Sequence, residues 1–328
     1  MHSLLSLSAL PAMMTLCIIR VVIEAKLRFS VPHPIPYQGS KRRLAAAILS
    51  HVPAGRHARL IEPFAGSAAV TLAAASKNYF SSYLIGDALD PLVCLWKMII
   101  DNPTEVAEQY ELLWHRERGK PIDAYYEIRT EFNADRNPAK LLYLLARCVK
   151  NAVRFNPAGE FNQSPDKRRK GTHPHLMKTE LVAAHRVLAG RCLAVSADFL
   201  PLFLDAKEGD FFYLDPPYQG TSEGRDQRYI SGVSRHRMIE SLEILNEKRI
   251  PFILSYDGFC GEKDYGDPLP NRLARRILLN VGRSSQATLN GRNDVTVESL
   301  YVSNAILGNI QDVTLTLKDF SPQIMLFG

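Results

Sequence analysis

Short apolar runs alternate with amphipathic stretches in the first third of the chain. Ala58–Glu62 and Tyr83–Gly86 have the length and character of strands, and each leads into a turn or an acidic residue. The stretch that begins near Ser67 carries apolar residues at helical spacing. Asp90 followed by Pro91 predicts a second helix, with Asp90 as its N-cap. This β-α-β-α order predicts a parallel sheet.

The pattern changes between residues 101 and 189, where strand signals are weak and helices with loops are predicted. Asn137-Pro138 predicts a helix that runs to about Val153. Beyond residue 189, a helix is predicted from Ser234 to Lys248. The strands predicted there are Leu193–Ser196, Phe211–Leu214, Phe252–Ser255, Ile277–Val281 and Val297–Val302. A helical insertion, which we interpret as a second lobe, therefore interrupts the sheet.

Length and composition are those of a globular chain of roughly two domains. The 328 residues are 46% hydrophobic and 23% charged, and 40 Lys and Arg against 34 Asp and Glu give a net charge of +6. This mild positive charge permits a nucleic-acid partner without requiring one. The five cysteines are scattered and form no CxxC pair, so free thiols in a reducing cytosol are expected and no metal site is predicted. The motifs of zincins and P-loop ATPases are absent from the sequence.

The N-terminal stretch is rich in apolar residues but lacks two features of targeting segments. Pro11 interrupts the apolar run of residues 3–23, and only His2 stands where a secretory signal has its basic region. We therefore expect an accessory extension over residues 1–33, with Met13 and Met14 as candidate alternative starts.

A carboxylate, two prolines and an aromatic residue follow the apolar run that ends at Leu214. Pro216 and Pro217 cannot continue a strand ladder, so they stiffen the turn and leave the carbonyls of Asp215 and Pro216 able to accept hydrogen bonds. Ligands of open α/β sheets bind at the carboxyl ends of strands. The turn suits an aromatic amine: the carboxylate and a carbonyl would accept its two N–H protons, and Tyr218 would stack on its ring. A rigid turn with a solvated Asp215 is the alternative.

Three further signals predict a ligand site, although each is weak alone. The strand-to-helix turn Glu62–Ser67 contains Gly66, where the backbone can approach a ligand closely. Asp87 follows about 20 residues later, a spacing that suits a carboxylate accepting from ribose hydroxyls. Lys41 opens a predicted helix, where the helix dipole does not favour a cation, so we expect it to face an acidic partner or a ligand carboxylate.

Taken together, these segments resemble the Dam-like DNA adenine-N6 methyltransferases, and their order resembles the alpha group of amino-methyltransferases. The motifs are Tyr37–Lys41, Glu62–Gly66, Asp87 and Asp215–Tyr218, with Arg154–Asn162 and Val297–Asn304 similar to further family elements. The resemblance spans residues 34–304. The family often has another glycine where this chain has Ala68, so a different packing of the cofactor loop is expected.

The resemblance implies S-adenosylmethionine (AdoMet) as the cofactor. The implied cofactor-binding residues are Tyr37, Lys41, Gly66, Asp87, Asp198 and Asp215. Asp87 would hold the ribose hydroxyls, and Lys41 would face the methionine carboxylate or support Asp215. Asp198 would line the cofactor adenine, with a helix N-cap as its alternative role. The implied catalytic residues are Asp215, Pro216 and Tyr218, acting on an adenine N6 that has flipped out of the duplex.

Positive charge is concentrated between Lys150 and Lys170, which contains six Lys and Arg against two acidic residues. The DNA-binding residues expected there are Arg154, Phe155, Asn156, Lys167, Arg168, Arg169 and Lys170. The basic side chains would contact phosphates, and the aromatic-Asn element would read or wedge bases. A solvated charged loop is the alternative.

The implied fold is the Rossmann-like α/β fold of AdoMet-dependent methyltransferases, a mostly parallel sheet with helices on both faces. A mainly helical DNA-recognition domain is inserted into it. The expected boundaries are residues 1–33 for the extension, 34–100 and 190–328 for the two parts of the catalytic domain, and 101–189 for the target-recognition insertion.

Two other activities stay open at this point. The first is cytosine-N4 methyl transfer, which modifies a similar exocyclic amine, although those enzymes usually carry Ser-Pro-Pro-Tyr. The second is methylation of RNA by an enzyme of the same fold. Cytosine-C5 transfer is excluded, because its cysteine nucleophile usually follows proline and no cysteine here does. Duplex DNA is the expected partner, without membrane or metal. A cognate restriction endonuclease is left open, and the expected location is the cytoplasm.

Overall fold

A computed structural model describes residues 31–55, 57–116, 119–217, 233–260, 263–264, 266–283, 295–306 and 314–316. Its strands are β1 His57–Glu62, β2 Phe80–Asp87, β3 Cys192–Ser196, β4 Asp210–Leu214, β5 Phe252–Cys260, β6 Lys263–Asp264, β7 Ala274–Arg283, β8 Val295–Ser303 and β9 Thr314–Thr316. Its α-helices are α1 Ala45–Leu49, α2 Ala69–Ser76, α3 Asp90–Asp101, α4 Pro103–His115, α5 Pro121–Asp135, α6 Pro138–Arg147, α7 Pro174–Leu188, α8 Phe199–Leu204 and α9 Arg235–Glu247. All seven strands predicted from the sequence are present.

The sheet is parallel through its first five strands, in the order β3-β2-β1-β4-β5, and continues through β8, β7 and β9. Strand β8 runs antiparallel to both β5 and β7. The chain moves outward from β1 to β2 and β3, then returns to β4 on the other side of β1. The carboxyl ends of β1 and β4 therefore meet at a topological switch point, where ligands of such sheets bind. The predicted Rossmann-like α/β fold is confirmed.

Alternation along the strands gives the sheet two buried faces. In β1, Leu60 belongs to one hydrophobic cluster and Ile61 to the other, and in β4 Phe211 and Phe212 divide in the same way. Side chains of α1 to α7 belong to the hydrophobic cluster on the first face, whereas those of α8 and α9 belong to the cluster on the second. Side chains of a strand point alternately to opposite faces, so central strands apolar on both faces are those of a sheet covered on both sides.

The predicted helical insertion consists of α4 to α7 among the described residues. Its buried side chains, such as Val106, Tyr143 and Leu188, belong to the same cluster as Leu60 of the sheet. The core of the insertion is thus continuous with one face of the sheet. Its role in target recognition stays a prediction. No helix among the residues described is long and apolar enough to cross a bilayer.

Helix α6 begins as predicted but ends earlier. The Asn137 side chain accepts hydrogen bonds from the backbone N–H groups of Ala139 and Lys140, at 2.9 and 3.2 Å. The helix stops at Arg147 instead of about Val153. Lys150 and Asn151 adopt left-handed φ angles of 59° and 52°, which an α-helix cannot contain.

The predicted cap of α3 is wrong by one residue. Asp90 is the first residue of the helix and Leu89 occupies the N-cap position, with Pro91 in the first turn. The carboxylate of Asp90 therefore lies within the first turn, where the helix dipole favours a negative charge.

Candidate active site

A cavity of about 560 Å³ opens at the carboxyl ends of β1, β2 and β4. The motifs singled out in the sequence meet in its wall, although they are far apart along the chain. Those motif residues are Tyr37, Lys41, Gly66, Asp87, Asp198, Asp215 and Pro216. The segment before α1 is tied to the glycine turn by a hydrogen bond of 2.8 Å from the Ser67 hydroxyl to that of Ser40.

Gly66 is fixed from three sides. Its N–H donates to Asp87 Oδ2 at 3.1 Å, and its carbonyl accepts from Trp96 Nε1 at 2.9 Å. Its φ of +49° is a left-handed conformation that side chains disfavour. A Cβ placed on Gly66 would lie 3.0 Å from Cε1 of Tyr37. The turn therefore requires glycine, and the ring of Tyr37 covers it closely.

Ala68 stands where the family that the sequence resembles often has a glycine. It adopts φ 46° and ψ 36°, the left-handed conformation that glycine adopts readily, and it is fully buried at the start of α2. Alanine thus follows a backbone path that a glycine could also take, at a conformational cost of roughly 1–2 kcal/mol.

Asp87 organises the turns around it. Besides accepting from Gly66, it accepts from the N–H of Leu89 through Oδ1 at 3.0 Å. Burial raises the pKa of the Asp87 carboxyl, and the backbone N–H donors oppose that shift. Each carboxylate oxygen has two lone pairs, so the carboxylate retains acceptor capacity beyond its bonds to the backbone N–H groups of Gly66, Leu89 and Ala88. Its contact with ribose stays a prediction.

Asp215 lies at the end of β4 beside a buried lysine. Lys41 Nζ is 3.0 Å from Asp215 Oδ1 and 3.5 Å from Glu298 Oε2. Lys41 is 7% exposed, and the side chain of Asp215 is 20% exposed. Burial raises the pKa of the Asp215 carboxyl to about 6; Lys41 opposes this shift, and Glu298 adds to it. Lys41 was expected to face either an acidic residue or a ligand carboxylate, and Asp215 and Glu298 are acidic partners among the described residues.

Glu62 is a second carboxyl group in the cavity wall. It is 3% exposed, and its Oε2 accepts from the N–H of Thr71 at 3.0 Å and from the Thr71 hydroxyl at 2.5 Å. Burial raises its pKa to about 8, against the hydrogen bonds from Thr71, and the charge of Asp215 adds to the shift. Glu62 is therefore protonated near neutral pH.

Asp198 lines the cavity and connects the start of α8 to Arg237 of α9. Its carboxylate accepts from the N–H of Leu200 at 3.0 Å, which makes it the N-cap of α8. The same carboxylate accepts from Arg237 Nη2 at 2.7 Å, and the Arg237 guanidinium lies 4.7 Å above the ring of Phe199. The alternative role of Asp198 as a helix cap is thus present, and its place in the cavity wall is compatible with the cofactor role.

The helical insertion reaches the cavity through Val153 and Phe155. Phe155 packs edge-on against Phe161, with ring centroids 5.6 Å apart. Asn156 closes the turn behind it: its Oδ1 accepts from the N–H of Glu160, and its Nδ2 donates to the Glu160 carboxylate, both at 2.8 Å. The side chain of Asn156 therefore shapes this turn in the structure.

The basic loop divides into two kinds of side chain. Lys167, Arg168 and Lys170 are exposed. Arg169 pairs with Asp166 at 3.3 Å and donates to the side-chain oxygen of Asn151. The Asn151 carbonyl in turn accepts from the N–H of Gln38 at 3.0 Å. Hydrogen bonds therefore connect the basic loop to the segment that contains Tyr37 and Lys41.

Comparison with known proteins decides the family. The sequence profile of the D12 class N6 adenine-specific DNA methyltransferases matches residues 37–289. The chain belongs to this family. The predicted adenine-specific methyltransferase activity is thereby confirmed, and DNA is the substrate class that the family implies.

Relatives of this methyltransferase occur in several different organisms. The Retron Ec67 DNA adenine methylase of Escherichia coli is 29% identical over 227 residues, covering 67% of this chain and 75% of that protein. The DNA adenine methylase of Haemophilus influenzae is 28% identical, covering 67% and 78%. The Type II methyltransferase M.MjaIII of Methanocaldococcus jannaschii is 25% identical, covering 56% and 68%. The rRNA methyltransferase aviRa from Streptomyces viridochromogenes superposes with a TM-score of 0.40 at 16% identity, covering 83% and 88%, which is too low to bear on the substrate.

Several features of this methyltransferase's site escaped the sequence analysis, and others lie outside the described residues. Glu62 and Glu298 belong to segments named in the sequence analysis but were given no role. Glu62 ends the central strand β1, which was a usable signal, whereas Glu298 lies within β8 and carried none. Tyr218 and residues 1–30 lie outside the described residues. Their predicted roles stay predictions.

Proposed function

We propose that the cavity binds AdoMet and an extrahelical adenine side by side, and that Asp215 and Pro216 orient the adenine N6 for methyl transfer. The observation that carries this proposal is the meeting of two motif groups in one cavity. Tyr37, Gly66 and Asp87 line the same cavity as Asp215 and Pro216. The glycine turn, which a Cβ would fill, suits a ligand held against the backbone, and a carboxylate at the end of β2 suits a ribose.

The cofactor, when bound, supplies a methyl group on a sulfonium sulfur. The residues of this chain supply position and electrostatics. The Asp215 carboxylate and the Pro216 carbonyl would accept the two N6 hydrogens and favour a more pyramidal amine, with its lone pair directed at the methyl carbon. As the new C–N bond forms and the S–C bond breaks, positive charge develops on N6 beside the Asp215 carboxylate. One N6 proton is then released, and a carboxylate whose pKa is about 6 is suited to accept it near neutral pH.

Substituting Asp215 tests this assignment. Asp215→Ala is expected to abolish incorporation of tritiated methyl groups into DNA, while thermal unfolding remains cooperative. Asp205→Ala, which removes an exposed aspartate at the end of α8, is the matched control and is expected to transfer methyl groups normally. Near wild-type turnover in Asp215→Ala would overturn the assignment.

The target adenine cannot reach this cavity inside a duplex, so base flipping belongs to the proposal. Sequencing of modified bases in DNA from cells that express the enzyme gives the recognition site. A duplex with 2-aminopurine at the target position should then increase in fluorescence when the enzyme binds. Methylation of the target without a fluorescence increase would argue against an extrahelical base.

The DNA side of the proposal rests on charge and position. Lys167, Arg168 and Lys170 present exposed cations, and Phe155 joins the insertion to the cavity wall. We assign phosphate contacts to these cations and contact with the bases to the Arg154–Asn156 segment. Some relatives are named Type II methyltransferases; a cognate restriction endonuclease and a cytoplasmic location stay predictions for this chain.

A further inference from the structure

Glu298 reaches the active site from a strand that carries none of the predicted catalytic or cofactor-binding residues. It lies on β8, in register with Gly258 of β5 and Leu279 of β7. Its carboxylate is 3.5 Å from Lys41 Nζ. The same nitrogen is 3.0 Å from Asp215 Oδ1. Three segments distant in sequence thus place one cation between two carboxylates.

The position of Glu298 is fixed by a close approach of two strands. The pairing of β5 with β8 shifts register between Ser255 and Gly258. A Cβ on Gly258 would lie 2.3 Å from the carbonyl oxygen of Val297 and 3.1 Å from Cα of Glu298. Only glycine permits this contact, so the backbone of Glu298 is held tightly against β5.

The charges in this cluster do not cancel. Lys41 contributes one positive charge, whereas Asp215 and Glu298 contribute two negative charges when ionised. Glu62, which also lines the cavity, is protonated near neutral pH because burial raises its pKa to about 8. The charges of these four side chains, taken by themselves, therefore sum to about −1, and each of the side chains is 22% exposed or less. Without Glu298, Lys41 and Asp215 would neutralise each other.

We propose that Glu298 is a positioning residue for methyl transfer: it shares Lys41 with Asp215, so that Asp215 keeps a net negative field toward the adenine amine as positive charge develops on it. This inference rests on the proposed role of Asp215. Glu298 acts through Lys41 and needs no contact with the substrate.

The proposal predicts opposite changes in the pH dependence of two variants. Among the described residues, the titratable groups that act on Asp215 are Lys41, Glu298, Glu62 and the buried Tyr213. The charge of Glu298 raises the pKa of Asp215 and that of Lys41 lowers it. Glu298→Gln should therefore move the acid limb of the single-turnover rate to lower pH, and Lys41→Met should move it to higher pH.

The experiment measures single-turnover methyl transfer from saturating AdoMet to amplified, unmethylated genomic DNA between pH 5 and pH 9. In Glu298→Gln, Lys41 would pair with Asp215 alone and would screen its charge from the adenine amine. Interactions between neighbouring unit charges at an effective dielectric constant near 20 change a rate by about one to two orders of magnitude, so the plateau rate of this variant is expected to fall by about 10- to 100-fold. Glu243→Gln is the matched control, because it removes a carboxylate paired with Arg272 outside the cavity.

A double variant separates positioning from simple damage. If Glu298 acts through Lys41, adding Glu298→Gln to Lys41→Met should change the rate by much less than it does in the wild type. Equal effects in both backgrounds, or an acid limb that does not move in Glu298→Gln, would overturn the inference. Failure of Asp215→Ala to reduce transfer would instead refute the role of Asp215 itself. The two failures are therefore distinguishable.

Discussion

Replacing Glu62 with glutamine should make the protein more stable at neutral pH. Glu62 is 3% exposed, and burial raises its pKa from the usual 4.5 to about 8. Glutamine has nearly the same shape, cannot ionise, and offers a carbonyl oxygen to the N–H and hydroxyl of Thr71. The substitution thus removes the titration while retaining an acceptor for both hydrogen bonds.

The sign of the pH dependence follows from proton uptake. Between pH 4.5 and pH 8 the folded protein keeps a proton on Glu62 that the unfolded chain has lost. The stability contribution of this group is therefore fully present below pH 4.5 and is lost as the pH rises through about 8. At about 1.36 kcal/mol per pKa unit, the wild type should lose on the order of 3–4 kcal/mol relative to Glu62→Gln between pH 5 and pH 8.

Urea unfolding at pH 5, 6, 7 and 8, at constant ionic strength, measures this difference. Glu131→Gln is the matched control, because hydrogen bonds from Arg116 and Lys140 lower the pKa of Glu131 to about 2. The contribution of Glu131 is present above pH 4.5 and is lost only as the pH falls toward about 2, so its variant should differ from the wild type by a nearly constant amount over pH 5–8. A difference between the wild type and Glu62→Gln that stays constant from pH 5 to pH 8 would refute the reasoning.

Three further predictions concern the ligand sites. Gly66→Ala should lower the free energy of unfolding by about 1 kcal/mol or more, because it combines a left-handed φ with a contact to the ring of Tyr37; unchanged urea unfolding would contradict this. Asp87→Ala should weaken AdoMet binding by about 1.5–3 kcal/mol in calorimetric titration, and an unaltered dissociation constant would leave Asp87 a purely structural role. Neutralising Lys167, Arg168 and Lys170 together should flatten the slope of log DNA affinity against log salt concentration by about 2–3 units in filter binding. Neutralising Arg169 as well should add little, because it already pairs within the protein; an unchanged slope in the first variant would exclude the loop from the DNA contact.

Local patterns predicted the parts of the fold that local forces determine. Consecutive apolar residues such as Phe211 and Phe212 point to opposite faces and define a strand that is buried on both. The sequence predicted all seven strands of five or more residues among those described. The cap at Asn137 was correct, whereas the cap at Asp90, predicted from the same pattern, was wrong by one residue. Helix α6 ended unexpectedly because the extended Cys148 and the left-handed Lys150 and Asn151 carry no glycine or proline signal.

The candidate site was predictable where its chemistry lies at strand ends. Parallel strands align their carboxyl ends, so Asp87 and Asp215 could be assigned to one edge of the sheet before any coordinates. An acidic partner for Lys41 was predicted and is present in Asp215, but the second carboxylate, that of Glu298, was not predicted. Lys41 and Glu298 are far apart in sequence and meet only through the pairing of β5 with β8, which no local pattern reports.

The hydrogen-bonded connection from Arg169 through Asn151 to Gln38 has a thermodynamic consequence. Phosphates bound by the neighbouring Arg168 and Lys170 would restrain the loop in which Arg169 donates to Asn151, and with it the segment that carries Tyr37 and Lys41. DNA would then change the affinity of this segment for cofactor, and reciprocity requires cofactor to change the affinity for DNA by the same factor. The order in which the two ligands bind would therefore affect the rates of assembly but not the stability of the ternary complex.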